Sequence, residues 1–356
     1  MNRRTRELMD RLLEVQGPSG HELEAGRVWR EAAGEFADRV RSDVHGNSFA
    51  EVGEGGSPRV MLAGHIDEIG LMVHHVDDDG FLYLKGVGGW DPQVLVGQRV
   101  EVLAEDGPVN GVIGWKAIHL IDRKERKNAV KLKDLWIDIG AEDGEEARQR
   151  VSVGDVAVIR SDRLELANGR VAARSADDRL GALVALEALR RADEKGATVH
   201  GVAVATTQEE ISYKTGGGAS TSTFGLEPDA AVVIDVTHAT DHPSVERTEH
   251  GLIELGEGPV LSRGSVVNPI LFERLVQAAR SADIPYQVLA APSTTGTDAD
   301  AIFTTRAGVA TAVVSIPDRY MHTPSQTVST GDVEQAAELI AELLASLEPE
   351  TSFVPE

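Results

Sequence analysis

From about residue 162 to the end of the chain, apolar runs of strand length alternate with amphipathic segments of helix length. LGALVALEALRRADEKG reads as a helix, TVHGVAVATT and DAAVVIDVTH as strands, NPILFERLVQAARSADI as a helix, VATAVVSIP as a strand and TGDVEQAAELIAELLASL as a closing helix. This rhythm predicts an α/β fold with a mostly parallel central sheet and helices on both of its faces. The first 68 residues belong to the same domain: two helices broken at QGPSG, where Ser19 is placed to cap the second, and then a buried strand, VMLAG, ending at His65.

Between these parts the rhythm changes. Segments such as GFLYLKGV, QRVEVLA, VNGVIGWK, DLWIDIG and VGDVAVI are short, alternating and separated by Gly, Asp and Asn turns. Evenly spaced short strands with little helix predict a small all-β, barrel-like domain. The expected division is therefore 1–68 and 162–356 for the α/β domain and 69–161 for the insert.

In open α/β sheets, ligands bind beyond the carboxyl ends of the strands. Metal-binding residue types recur at such places along this chain. His65 and Asp67 follow VMLAG, Asp177 and Asp178 precede a helix in RSADDRLG, Glu209 and Glu210 follow VAVATTQ, Asp235 ends AVVID, and His322 follows VVSIPDRYM. Any one of them alone reads as a cap or a surface group; their recurrence at equivalent places points to one polar site built from several loops.

The chain has no cysteine, so a metal here has only imidazole and carboxylate ligands. Two His and several acids suit a pair of divalent ions with a bridging carboxylate, and a further carboxylate is then needed to accept a proton from water. Asp67, two residues beyond His65, can receive the second imidazole N–H, or it simply begins a turn. The adjacent Glu209 and Glu210 either divide the work, one on metal and one facing substrate, or lie in a solvated loop. Spacing does not separate Asp177 from Asp178.

The formal net charge of −23, spread along the chain, argues against nucleic-acid or anionic-membrane partners. No apolar run of spanning length occurs, and MNRRTRELMDRLLEVQG reads as an amphipathic helix rather than a signal peptide. The expected location is cytoplasmic.

AGHIDEIGLMV, SADDRLGALVALEAL, TTQEE, VIDVTHA, GTDADAI and SIPDRYMHTP occur in the order seen in peptidase family M42, the dinuclear-metal aminopeptidases that include the tetrahedral TET enzymes, and VGGWDPQVLVGQRV and DLWIDIGA of the insert also resemble that family. The resemblance implies two divalent ions per subunit, zinc or cobalt with manganese as an alternative. His65, Asp177 and Asp235 would surround one ion and Asp177, Glu210 and His322 the other. Glu209 corresponds to the general base and Asp67 to the His-orienting acid. The same resemblance implies peptide substrates, a dimer-forming insert and assembly of six dimers into a dodecamer.

Two departures bear on specificity. ISYKTGGGAS, residues 211–220, replaces the loop usual after the Glu pair, and Asp300 stands where a small residue is expected, so it either favours a basic side chain or faces solvent. Arg319 and Tyr320 correspond to the substrate side of the site, against the alternative that they pack on the surface, and His119 reads as structural. The competing functions are an amidase or deacylase with a non-peptide substrate, a glycoside hydrolase working through paired carboxylates, and a non-catalytic scaffold.

Overall fold

The computed structural model describes residues 1–212 and 215–355, so Tyr213 and Lys214 of the ISYKTGGGAS loop lie outside the described residues. The chain divides into two compact units. One comprises residues 1–67, 163–321 and 325–356, and the other residues 68–162 with 322–324.

The first unit is built on a mixed sheet. Its centre is four parallel strands in the order His200–Thr206, Arg59–His65, Ala230–His238 and Ala310–Arg319. The expected parallel character holds for this centre, whereas the flanks are antiparallel: Arg39–Ser42 and Ser48–Val52 on one side, and Gln326–Ser329, Arg170–Ala173 and Leu164–Leu166 on the other. Loop length is the reason at the two hairpins. Loops 43–47 and 167–169 are too short for the crossover that a parallel neighbour requires.

Side chains of a strand alternate between faces, and here both faces are buried. Val60, Leu62, Ala203, Ala205, Val232, Ile234, Val314 and Ile316 join a core with Leu12, Trp29, Leu183, Leu271 and Ile340 from five helices. Those helices are Arg3–Glu14, Leu23–Ala33, Ala176–Glu194, Pro269–Ser281 and Thr330–Ala345. The intervening Met61, Ala63, Val202, Val204, Ala231, Val233 and Val313 turn the other way, onto Ala219 and Leu226 of helix Gly217–Leu226 and Ala301 and Ile302 of helix Ala299–Ile302. Full burial of each Val, Leu or Ile contributes about 1.5–3 kcal/mol, which favours this one register over its slipped neighbours.

Helix Ala176–Glu194 lies almost in backbone contact with the sheet. A Cβ on Gly64 would come within 2.3 Å of the Gly181 carbonyl carbon and 2.4 Å of Ala182 N, with no flexible side chain to yield. Gly64→Ala is therefore expected to lower stability by about 2–3 kcal/mol, read as a fall in the urea midpoint; a loss under ~1 kcal/mol would mean that helix and strand separate freely. Arg179, fully buried, donates to the carbonyls of Leu12, Val15 and Ile66. Its cation thus sits at the carbonyl end of helix Arg3–Glu14, where the helix dipole favours positive charge.

One expectation is corrected. Ser19 does not cap helix Leu23–Ala33, whose cap position is Glu22 without a side-chain hydrogen bond. The Ser19 hydroxyl instead donates to Asp67 Oδ2 at 2.6 Å, because the turn carrying it faces the end of strand Arg59–His65 rather than the helix.

The second unit is a closed antiparallel barrel of the strands Gly70–Val76, Leu82–Val87, Trp136–Asp138, Gly107–Gly114, Arg99–Ala104 and Val156–Ile159. Leu71, Val73, Leu82, Leu84, Val100, Val102, Ile113 and Ile137 fill it. Closure leaves no unpaired edge within the barrel.

Candidate active site

The parallel strands deliver their polar residues to one end of the sheet. Arg59–His65 ends at His65, which stands in register with Thr206, the last residue of His200–Thr206. Glu209 follows three residues later. Asp177 and Asp178 precede the regular part of their helix, both with non-helical dihedral angles and with a cis peptide between them. Asp235 lies in Ala230–His238, opposite Ser315.

His65, Asp177 and Asp235, all buried, present ligand atoms within 4.8 Å of one another. His65 Nε2 lies 3.1 Å from Asp177 Oδ1 and 3.9 Å from Glu209 Oε2. The other ring nitrogen, Nδ1, faces Asp67, 3.2 Å from its carbonyl oxygen and 3.4 Å from Oδ1. The Asp67 carboxylate also accepts the N–H groups of Glu209 and Glu210 at 3.1 and 3.2 Å. Asp178 is oriented differently: its oxygens accept from His65 N at 3.1 Å and Gly181 N at 3.0 Å, so it braces strand against helix. This distinction between the neighbouring acids exists only in three dimensions.

The electrostatics are those of crowded acids. Burial pushes the Glu209 carboxyl up to about 11, with His65 opposing the rise and Asp235, Asp298 and Glu210 adding to it. Burial raises Asp235 to about 8, again against the pull of His65 and with the help of Asp177. For His65, burial favours the neutral ring, but hydrogen bonds to Asp177 and Asp67 outweigh it and hold the pKa well above the usual value. Glu209 Oε1 is buried and has no hydrogen-bond partner among the described residues. A buried His with converging carboxylates is the donor set of an oxygen- and nitrogen-ligated divalent cation, whose charge would relieve this repulsion. The residues fit such an ion.

Asp298 was not singled out from the sequence. It is buried, accepts from Thr206 Oγ1 at 2.5 Å, and is raised to about 6 by burial despite that bond and the His65 charge. In GTDADAI it looks like any loop acid, and only its pairing with Thr206, 92 positions away, marks it. Glu22, also unmarked, takes a 2.6 Å hydrogen bond from Gly20 N and is pushed up to about 7 by burial and then by the Asp67 charge.

Among the residues expected on the substrate side, Arg319 and Asp300 have local partners. Arg319 is held by both oxygens of Asp241, at 2.7 and 2.6 Å, and Asp300 accepts from Thr295 N, Thr295 Oγ1 and Gly296 N at 2.8–2.9 Å. Both charges are engaged locally, by an ion pair and by a loop brace. Tyr320 is 49% exposed, with its ring 5.6 Å from that of His242. In the barrel unit, His322 directs Nδ1 to the Gly89 carbonyl at 2.7 Å. His119 is exposed, in a short 3-10 turn.

A sheet covered by helices on both faces thus carries, at its strand ends, a buried His–carboxylate cluster whose donors suit a divalent metal ion. The sequence profile of the M42 glutamyl aminopeptidases matches residues 46–339, and the chain belongs to that family. It is 35% identical to the lysyl aminopeptidase of Pyrococcus furiosus over 98% of this chain and 99% of that protein. A TET aminopeptidase from the marine sediment archaeon Thaumarchaeota archaeon SCGC AB-539-E09 superimposes with a TM-score of 0.92 at 36% identity, covering 97% of each chain. The TET1 peptidase of Pyrococcus horikoshii, which can assemble into a tetrahedron or a large octahedral shell, gives 0.84 at 31% identity over 96% of this chain and 100% of that one. The protein is thus a peptide hydrolase of a family that implies divalent metals.

Proposed function

We propose that this protein is a dinuclear metalloaminopeptidase that releases N-terminal residues from peptides, with Glu209 as general base. The observation that carries the reading is the buried group His65, Asp177 and Asp235 with the Glu209 carboxylate 3.9 Å from the His65 ring. His65, Asp177 and Asp235 would hold one ion and Asp177, Glu210 and His322 a second, with Asp177 shared. Zinc or cobalt suits these donors, with manganese as the alternative. Divalent ions held there supply Lewis acidity at the scissile carbonyl and lower the pKa of a water molecule.

The chain's own groups do the rest. Glu209 takes the proton of the attacking water and hands it to the leaving amine as the C–N bond breaks. Positive charge nearby favours this, since burial and the neighbouring acids raise the Glu209 carboxyl and opposite charge lowers it. Asp67 holds His65 by Nδ1 and the Glu209–Glu210 backbone by its two N–H groups, while Asp178 anchors the His65 amide.

The assembled state is proposed to be a homo-oligomer made of dimers joined through the barrel unit, and in its closed form a dodecamer. The assembly named for the TET1 neighbour supports it. Sedimentation of the dodecamer would give twelve times the 38.1 kDa chain mass. The test of function is a panel of aminoacyl-p-nitroanilides and free-amine peptides, assayed with chelator and with zinc, cobalt or manganese restored. Metal-dependent release of the first residue is expected. Cleavage of N-acylated amides but not of free-amine peptides would replace the aminopeptidase by a deacylase.

A further inference from the structure

We infer that Ser19 is a positioning residue for hydrolysis: its hydroxyl locks the Asp67 carboxylate, and through it the backbone of Glu209 and Glu210 and the ring of His65. The inference rests on the aminopeptidase reading, since it concerns how the proposed base and ligands are aimed.

Ser19 reaches Asp67 because of the turn that carries it. His21 N donates to the Pro18 carbonyl at 2.7 Å, and Gly20, the third residue of this turn, has φ +85°. A left-handed residue there is the mark of a type II turn and the reason for a glycine. The turn is closed by the Gly20 N–H on Glu22 Oε1. Ser19, in its second position, is 4% exposed, and its Oγ meets Asp67 Oδ2 at 2.6 Å.

The Asp67 carboxylate is fully buried and serves four groups at one orientation. Oδ1 faces His65 Nδ1 at 3.4 Å and Glu209 N at 3.1 Å, and Oδ2 accepts from Glu210 N at 3.2 Å and from Ser19. The bond from Ser19 is the shortest of the four, in the range of a strong O–H donor to a carboxylate. It is also the one that comes from outside the two loops being aligned. Without it, the carboxylate keeps polar contacts of 3.1 Å or more to His65, Glu209 and Glu210, so a rotation moves all three. Ser19 donates to Asp67, which is not one of the His65, Asp177 and Asp235 group, so its effect passes through Asp67.

The test compares Ser19→Ala and Ser19→Thr with the wild type in the full-length protein. Hydrogen exchange of the 207–212 segment reads the alignment without reference to activity. Steady-state kinetics on an aminoacyl-p-nitroanilide and chelator competition for zinc read its consequences. Ser19→Ala is expected to speed exchange at Glu209 and Glu210 and to lower kcat about tenfold, with KM and zinc affinity changed less than about threefold. Ser19→Thr, which keeps the hydroxyl, is expected to restore exchange and to recover kcat to within about threefold. Unchanged exchange or unchanged kcat in Ser19→Ala would overturn the inference, as would equal loss of kcat, zinc and melting temperature in both variants, which marks plain packing. Faster exchange in Ser19→Ala, reversed by Ser19→Thr, in a protein whose wild type binds zinc and cleaves no peptide would uphold the tether and sink the aminopeptidase reading instead.

Discussion

Glu209→Gln is expected to lower kcat by about 10²–10⁴-fold while leaving metal content and KM nearly unchanged. The amide keeps the shape of the carboxylate but cannot accept the proton of water, and that is the usual magnitude lost with a general base. The main chain should not move, because Asp67 holds residue 209 by its N–H, which the substitution leaves in place. Glu210→Gln makes the informative contrast: loss of a proposed ligand should reduce metal content first and activity as a consequence. Activity of the Glu209 variant above a tenth of wild type, with both ions bound, would remove Glu209 from the mechanism.

Stripping the metal with a chelator is expected to make the protein's stability fall as pH rises, the reverse of what most carboxylates produce. Asp298 is raised to about 6 and Asp235 to about 8, burial leading in both, against about 3.9 for a free aspartate. Above about pH 4 the unfolded chain has released these protons while the folded chain still holds them. The stability present below that pH is therefore lost progressively as pH climbs through about 6 and about 8. His65, whose pKa is also raised by its acidic partners against burial, changes in the same direction above about 6.5. Metal binding needs the deprotonated carboxylates, and an ion at a hundred times its Kd adds about 2.7 kcal/mol per site. Urea denaturation of stripped and zinc-loaded protein at pH 5, 7 and 8.5 should thus show a gap that widens with pH. A stripped protein that becomes more stable from pH 5 to 8.5 would show that these acids do not share a protonated, cation-deficient site.

What could be read directly were the features that leave a local trace. Apolar runs such as VMLAG and AAVVIDV record a strand buried on both faces, LGALVALEALRRADEKG records the helix that covers them, and the short alternating segments of 69–161 record a barrel, because each periodicity is fixed by neighbours within a few positions. The ends of those runs also located His65, Glu209 and Asp235. The antiparallel flanks were less legible, since the pattern of a strand does not say which neighbour it pairs with; only loops 43–47 and 167–169 hinted at it.

By itself, then, the sequence determined the two kinds of domain, the strands that end in polar residues, and the exclusion of thiolate chemistry. The tertiary structure alone decided that Asp178 braces strand against helix, that Ser19 holds Asp67 instead of capping a helix, that Asp298 joins Thr206, and that Arg319 and Asp300 are bound to their neighbours. The physical reason is distance along the chain. Ser19 and Asp67 are 48 positions apart and His65 and Asp178 are 113, and a short polar residue has the same local signature whether its hydrogen bond goes to its own loop or across the molecule. Burial changes what such a residue does, and burial is a property of the packed chain.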